Sequence, residues 1–469
     1  FEEALECYEK ALKIKPDFTN ALNNQGNCFQ NLNRFEEALE CYKKALSIKP
    51  NYIDALNNLG NCLKVLNRFE EAIESYKKAL KIKPDFKDVL NNKGVCLKKL
   101  DRFEEALECY EKALKIKPDF FEALNNKGTC LTELYRYDEA LSCFKKVLEI
   151  KPNFADTIWN ISKIQLVNGN FNEGWKSYEW RKKTSSLGKN YKTYNKDINW
   201  LGDKDLNNKT ILISYEQGLG DYLLYARYLP MIKKLGAKII LDTPKFIKPM
   251  IDSMNFDYTH TEELKKIDFD FHCSIASLPC AFKTSVETIP CKIPYLFTPK
   301  EKKEFWKKEF EDNSNIKIGL KWAGNKLHQD DRKRSMPLKK FKPLFDLPYD
   351  FHSLEIEYNK DDEKLLNEIP NLNCHKNQIP GLDNTAGLME SMDLVITVDT
   401  GINHLCGAIG KPFWILLSHV PDFRWFLDCN NSPWFPTAKL YRQTSRGDWD
   451  AVINRIKKDL LSLKNIRSN

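Results

Sequence analysis

A helical-repeat solenoid followed by two doubly wound parallel α/β domains is the fold class this sequence predicts, and three observations lead to it. Prolines, glycines, alanines and aromatics return every 34 residues over the first third of the chain. From Thr210 onward short β-branched runs alternate with stretches of helical spacing, and after a break at about 290–315 the alternation starts again. Within the second series, 394–398, Asp399-Thr400-Gly401, 402–409 and 413–417 read as strand, turn, helix and strand. Apolar runs of that length suit strands buried in a parallel sheet. An acid, a hydroxyl and a glycine at a helix N-terminus offer N–H groups to an anion, typically a phosphate.

The 469 residues are enough for about three domains with cores of their own. Charges are plentiful but mixed, and the net charge of +8 is modest. That balance allows an anionic partner, while no basic stretch is dense enough for nucleic acid. No apolar run approaches the roughly 20 residues of a transmembrane segment. The chain begins at Phe1, inside a repeat and without a methionine, so further sequence is expected before it. Of the fourteen cysteines, Cys28, Cys62, Cys96 and Cys130 recur at the repeat spacing, as do Cys7, Cys41, Cys109 and Cys143, with Ser75 in the gap. They read as small buried residues copied with their repeat. With no Cys-x-x-Cys pair, no metal site and no cofactor is assigned. Many free thiols point to a reducing, cytoplasmic setting.

In residues 1–181, Pro16, Pro50, Pro84, Pro118 and Pro152 keep the 34-residue step, as do Gly26, Gly60, Gly94 and Gly128. So do Ala4, Ala38, Ala72, Ala106 and Ala140, followed by Tyr8, Tyr42, Tyr76, Tyr110 and Phe144. This pattern resembles the tetratricopeptide repeat. Glycine would let two helices approach, alanine fit their crossing, the aromatic fill the gap to the next repeat, and proline close the unit. Stacked units form a superhelix with a concave binding surface. The last unit, 153–181, has Ser162 for glycine and Gly174 for alanine, and adds Trp175, Tyr178 and Trp180. It reads as a cap whose aromatics pack on the next domain. Asn24, Asn58, Asn92, Asn126 and Asn160 also lie 34 apart on first helices. They form either a ladder of amides for an extended peptide backbone or a solvated stripe.

Residues 182–208 are polar and read as a linker, anchored at Trp200-Leu-Gly202. The first α/β domain is placed at 209–312, with strands at 210–215, 237–242 and 269–275, a tight turn at Gly218-Leu-Gly-Asp221 and a closing charged helix at 300–311. The second is placed at 313–469, with strands at 316–322, 351–356, 394–398, 413–417 and 440–442 and helices that include 361–369 and 387–392. In such sheets ligands sit beyond the carboxyl ends of the strands, where Asp221 and Asp399 both fall.

Six motifs carry a second resemblance: Glu216-Gln-Gly-Leu-Gly-Asp221 with Ala226-Arg-Tyr-Leu-Pro230, Trp322-Ala-Gly-Asn325, Arg334-Ser-Met-Pro-Leu338, and Val398-Asp-Thr-Gly-Ile-Asn-His404 with Gly410-Lys-Pro412. From about Phe171 to the end the chain resembles the heptosyltransferase-like glycosyltransferases, specifically bacterial proteins in which tetratricopeptide repeats precede such a domain. The layout is also similar to the O-linked N-acetylglucosamine transferases of proteins. The resemblance implies the two-domain glycosyltransferase B (GT-B) fold, a nucleotide-sugar donor, and metal-independent transfer with inversion. It makes Asp221 the general base, with an N-terminal capping acid as the alternative. Thr400 and Gly401, with the backbone behind Asp399, would hold the donor diphosphate, and Asp399 would orient the sugar or the loop. A helix end contributes at most about 2 kcal/mol, so a cation is required as well. Arg334 is placed there, with Arg332 and Lys333 as alternatives. His404 is a phosphate contact or a structural histidine. Glu355, after a strand, falls where such folds bind the nucleoside, and Asn325 falls near the diphosphate or acceptor.

The sequence therefore reads as a glycosyltransferase moving a sugar to an acceptor hydroxyl, the repeats recruiting a protein, peptide or glycan acceptor. Its rival is a non-catalytic interaction scaffold with a degenerate transferase domain.

Overall fold

The computed structural model describes residues 1–188, 191, 196–216, 218–264, 266–325, 331–420, 422–427 and 429–463. Parts of the 182–208 linker and Gln217 of the 216–221 motif lie outside the described residues. The chain divides into two compact units, Phe1–Ile161 and Ser162–Asn469.

The first unit is a tetratricopeptide array. After Glu2–Ile14 come the helix pairs Thr19–Asn31 with Phe35–Ile48, Ile53–Val65 with Phe69–Ile82, Lys87–Lys99 with Phe103–Ile116, and Phe121–Glu133 with Tyr137–Ile150. Asn33, Asn67, Asp101 and Tyr135, in the turns inside the pairs, share φ near +60°. Each second helix ends two residues before a repeat proline. A Cβ on Gly94 would stand 2.6 Å from Cε1 of Tyr110, and one on Gly26 would stand 2.6 Å from Cε1 of Tyr42. The aromatic thus covers the glycine of its own repeat, where the sequence suggested it fills the gap to the next. Its hydroxyl is used too: Tyr42 donates to Asn27 at 2.7 Å and Tyr76 to Asn61 at 2.8 Å. Burial raises the pKa of both phenols well above the usual value. Of the repeat cysteines, Cys7 is exposed and the others are buried, all as free thiols.

The second unit begins inside the helix Ala155–Val167, earlier than the expected boundary at 181, and the aromatics explain why. On the helix Phe171–Tyr178, Trp175 packs edge-on to Phe423 at 5.5 Å and to Trp434 at 6.3 Å, and Phe171 stacks on Phe426 at 5.9 Å. This segment is built into the α/β half, burying rings that are costly to leave in water.

The α/β half contains two fully parallel sheets. The first comprises β1 (Thr210–Ser214), β2 (Lys238–Asp242), β3 (Thr259–His260) and β4 (Phe271–Ser274) in the order β3-β2-β1-β4. The second comprises β5 (Lys317–Lys321), β6 (Asp350–Ser353), β7 (Leu372–Cys374), β8 (Leu394–Val398), β9 (Phe413–Leu417) and β10 (Ala438–Arg442) in the order β10-β9-β8-β5-β6-β7. Both orders reverse beside the first strand, between β1 and β4 and between β5 and β8, and such switch points open a crevice at the carboxyl ends. β8 and β9 are buried at every position, as expected for central parallel strands. The charged helix Lys300–Glu309 packs with the second sheet rather than closing the first: Trp306 is 1% exposed and meets the ring of His375 at 5.1 Å. Among the described residues no helix is long and apolar enough to cross a membrane.

Candidate functional site

The chain leaves β1 through Glu216 and enters the helix Leu219–Tyr225, and it leaves β8 through Asp399 and enters the helix Gly401–Ala408. The starts of these two helices touch. A Cβ on Gly220 would lie 2.6 Å from Cδ2 of His404, and one on Gly401 would lie 3.2 Å from Cδ2 of Leu219. The sequence assigned Gly218 and Gly220 to a tight turn. Instead, Gly218 caps the first helix with extended backbone (φ −101°), and Gly220 lies within that helix, bare because His404 occupies the space a side chain would need.

Asp221 takes the capping position that the sequence left open for it and adds an ion pair. Its Oδ2 accepts the Gly218 N–H at 3.4 Å as a first-turn capping acid, and its Oδ1 is ion-paired with Arg424. Burial raises its pKa, while the neighbouring guanidinium works against that rise. Asp399 accepts the indole N–H of Trp425 at 3.0 Å. Burial, then the like charge of Asp422, brings its pKa up to about 6 against the pull of Arg424. Thr400 caps the helix: its hydroxyl accepts the Ile402 N–H at 3.3 Å, and its own N–H donates to Asn403 at 2.7 Å.

His404 is 6% exposed and lies against the rings of Trp425 (5.9 Å) and Phe435 (5.6 Å). Burial, then the charges of Arg424, Arg227 and Arg334, pushes its pKa well below the usual range. It packs between the two helices. Arg334 lies over Gly324 at the carboxyl end of β5, facing Asp331 at 3.5 Å, and its charge reaches Asp399. Asn325 is exposed beside it. Arg332 and Lys333 lie with Arg334 on the short helix Asp331–Arg334.

Glu355 is turned inward. It pairs with Lys321 and accepts the N–H groups of Trp322 at 2.9 Å and Ala323 at 2.7 Å, at 3% exposure. Both oxygens are taken up in holding the end of β5, which leaves none aimed at a nucleoside. Three Asp-x-Asp triplets occur, at 203–205, 268–270 and 448–450, and each has structural work: Asp203 accepts the Leu201 N–H, Asp270 accepts the Thr210 N–H at the amino end of β1, and Asp448 accepts the Ala451 N–H at the start of the last helix. Among the described residues no group of His, Cys, Asp and Glu is arranged to hold a metal.

Arg424, Asp422 and Trp425 belong to the site without any repeat or motif that marks them in the sequence. They form the turn Phe423–Trp425 and its cap beyond β9, and Asp422 accepts from the Arg424 backbone at 3.1 Å. The local signal was an Asp-Phe-Arg-Trp string after a buried strand, but its partner Asp221 lies 203 positions earlier.

The asparagine positions form contacts between repeats. Asn58 donates to Asn23 (3.1 Å) and Asn27 (3.0 Å), Asn92 to Asn61 (3.1 Å) and Asn126 to Asn91 (2.9 Å). Asn24 is exposed, and Asn160 is half-buried. The amide donors are thus partly engaged, while carbonyl capacity remains on Asn58 and Asn126.

Residues 1–18, 19–52, 53–86, 88–120 and 121–154 match models of the tetratricopeptide repeat. Protein FlbA of Caulobacter vibrioides is 24% identical over 320 residues, which is 62% of this chain and 53% of that protein. The chain spans about half the length of this curated relative. Because 62% of 469 residues exceeds the 161 of the first unit, the likeness continues into the α/β half. Among solved structures, MamA is 26% identical, covering 32% of this chain and 86% of its own at a TM-score of 0.31. YrrB, described as a TPR protein with an unusual peptide-binding site, is 27% identical, covering 38% and 92% at 0.33.

Proposed function

We propose that this chain is a glycosyltransferase that moves a sugar from a nucleoside-diphosphate donor to an acceptor hydroxyl by a single inverting displacement, with the repeats recruiting a protein, peptide or glycan acceptor. One observation carries the reading. The helix starts that follow β1 and β8 meet face to face, and Asp221, Arg424 and Asp399 gather where they touch. This is a carboxylate from one sheet opposite a cation and a helix N-terminus from the other, the polarity that transfer to a hydroxyl requires.

In the proposed reaction Asp221 takes the proton of the acceptor hydroxyl. The acceptor oxygen bonds to the anomeric carbon as the bond from that carbon to the diphosphate oxygen breaks, and the nucleoside diphosphate leaves with the electron pair. Burial of Asp221 makes it a stronger base than a carboxylate in water. Thr400, Gly401 and Arg334 lie on the donor side. Asn24, Asn58, Asn92, Asn126 and Asn160 are the proposed contacts for an extended acceptor backbone.

Turnover of a panel of nucleotide-sugars, followed by release of the nucleoside diphosphate, tests this. Asp221→Asn should lower kcat by about 10²–10⁴-fold. Full turnover in that variant would remove Asp221 as the base. A second reading, a repeat scaffold without catalysis, is favoured by the engagement of both Asp221 oxygens. It predicts no turnover with any donor.

A further inference from the structure

Arg424 is held unlike a purely structural arginine, and the same unit supplies the comparison. Arg181 grips a single carboxylate with two arms: its Nε and Nη2 take the two oxygens of Glu216, its remaining nitrogen reaches the Tyr178 carbonyl at 3.1 Å and Glu179 at 2.8 Å, and its side chain is fully buried. Arg424 makes one contact to each of two carboxylates. Nη2 meets Asp221, Nη1 meets Asp422 at 2.5 Å, and the buried Nε has no hydrogen-bond partner among the described residues. Its two partners are 20% and 37% exposed, so water reaches the far side of both pairs. The backbone is fixed, because the Arg424 carbonyl accepts from Ser432 at 3.0 Å, and the guanidinium lies 4.5 Å over the Phe423 ring. A planar fork with a free Nε and two single-point contacts is suited to a bidentate oxyanion such as a phosphate.

Resting on the glycosyltransferase reading, we infer that Arg424 is a shared cation, bound to Asp221 until a nucleotide-sugar enters and then handed to the donor's diphosphate. The exchange couples two events. The leaving group acquires the cation that a helix end alone does not supply, and Asp221 loses its counter-ion and becomes available to the acceptor hydroxyl. The base is therefore masked until the donor is in place. In the transfer step the proton passes to Asp221, the bond from sugar carbon to diphosphate oxygen breaks, and Arg424 faces the charge that develops on the departing oxygen.

Calorimetric titration of the full chain with UDP, GDP, ADP, CDP, TDP and inorganic pyrophosphate tests this through a double-mutant cycle. Arg424→Gln should weaken binding by about tenfold or more, and Arg424→Lys, which keeps the charge and loses the fork, by less. Asp221→Asn should tighten binding several-fold by freeing the arginine, and this gain should vanish in the Arg424→Gln background. Circular dichroism of each variant confirms folding before titration. Unchanged binding in Arg424→Gln would show that another group is the cation. Equal tightening by Asp221→Asn in both backgrounds would mean that the carboxylate merely repels the anion, and would also overturn the shared-cation inference. If the wild-type chain binds none of the panel, the glycosyltransferase reading fails and takes this inference with it.

Discussion

Replacing Arg181 by alanine should be among the most damaging single changes in the α/β half. The side chain is fully buried and is flanked by Glu216 at 3% and Glu179 at 16% exposure, with Ser277 at 2.8 Å. Removing one partner of a buried ion pair leaves the others uncompensated, which costs about 3–5 kcal/mol. The effect carries its own pH signature. Burial raises the pKa of Glu179, but Arg181 and then Lys182 outweigh that and hold it down at about 2. A carboxylate depressed in the folded state stabilises above its ordinary pKa, and the contribution is lost as pH falls toward the folded value. Wild-type stability should therefore decline below about pH 4.5, and the gap to Arg181→Ala should narrow by about 2 kcal/mol between pH 5 and pH 3. Urea unfolding followed by tryptophan fluorescence reports on this half, because nine of the ten tryptophans, all but Trp159, lie beyond Ile161. A gap below about 1 kcal/mol at pH 7, or one that widens on acidification, would show that the buried ion pairs of Arg181 do not stabilise this half.

Asp399 should behave in the opposite sense. Its pKa of about 6 lies above the unfolded value, so its contribution is most favourable at low pH and is lost as pH rises through 6. Asp399→Asn should stabilise by about 2–3 kcal/mol at pH 8 and by little at pH 4, read from urea midpoints at the two values. Gly94→Ala should drive a methyl into Tyr110, which is fully buried, at 2.6 Å. Overpacking of about 1–3 kcal/mol should exceed the helix-propensity gain of about 1 kcal/mol, lowering the thermal midpoint by circular dichroism.

What could be read from the sequence was what repeats or is local. The 34-residue step located every helix pair, because Gly, Ala, aromatic and Pro each mark one contact within a unit. Buried parallel strands declare themselves as apolar runs, so β8 and β9 lie where expected, with Asp399, Thr400 and Gly401 at their turn. The strands β3 and β7 were missed, being edge strands of two and three residues. The centre of the candidate site was missed for a different reason. Arg424 and Asp221 meet across 203 positions, and no periodicity encodes such a pair. Glu355 could be placed at a strand end, but its direction could not, because the Lys321 that turns it inward lies on a neighbouring strand. The same limit applies to Gly220, whose bareness is set by His404 in the other sheet's helix.

The proposed donor site in the crevice between the two sheets binds a nucleoside diphosphate. Calorimetric titration of the wild-type full chain with the six-member panel measures this most directly. At least one nucleotide should bind with a stoichiometry near one per chain, and Arg424→Gln should weaken that binding by about tenfold or more. Absence of heat with every member, from a chain shown to be folded, would contradict the proposed site.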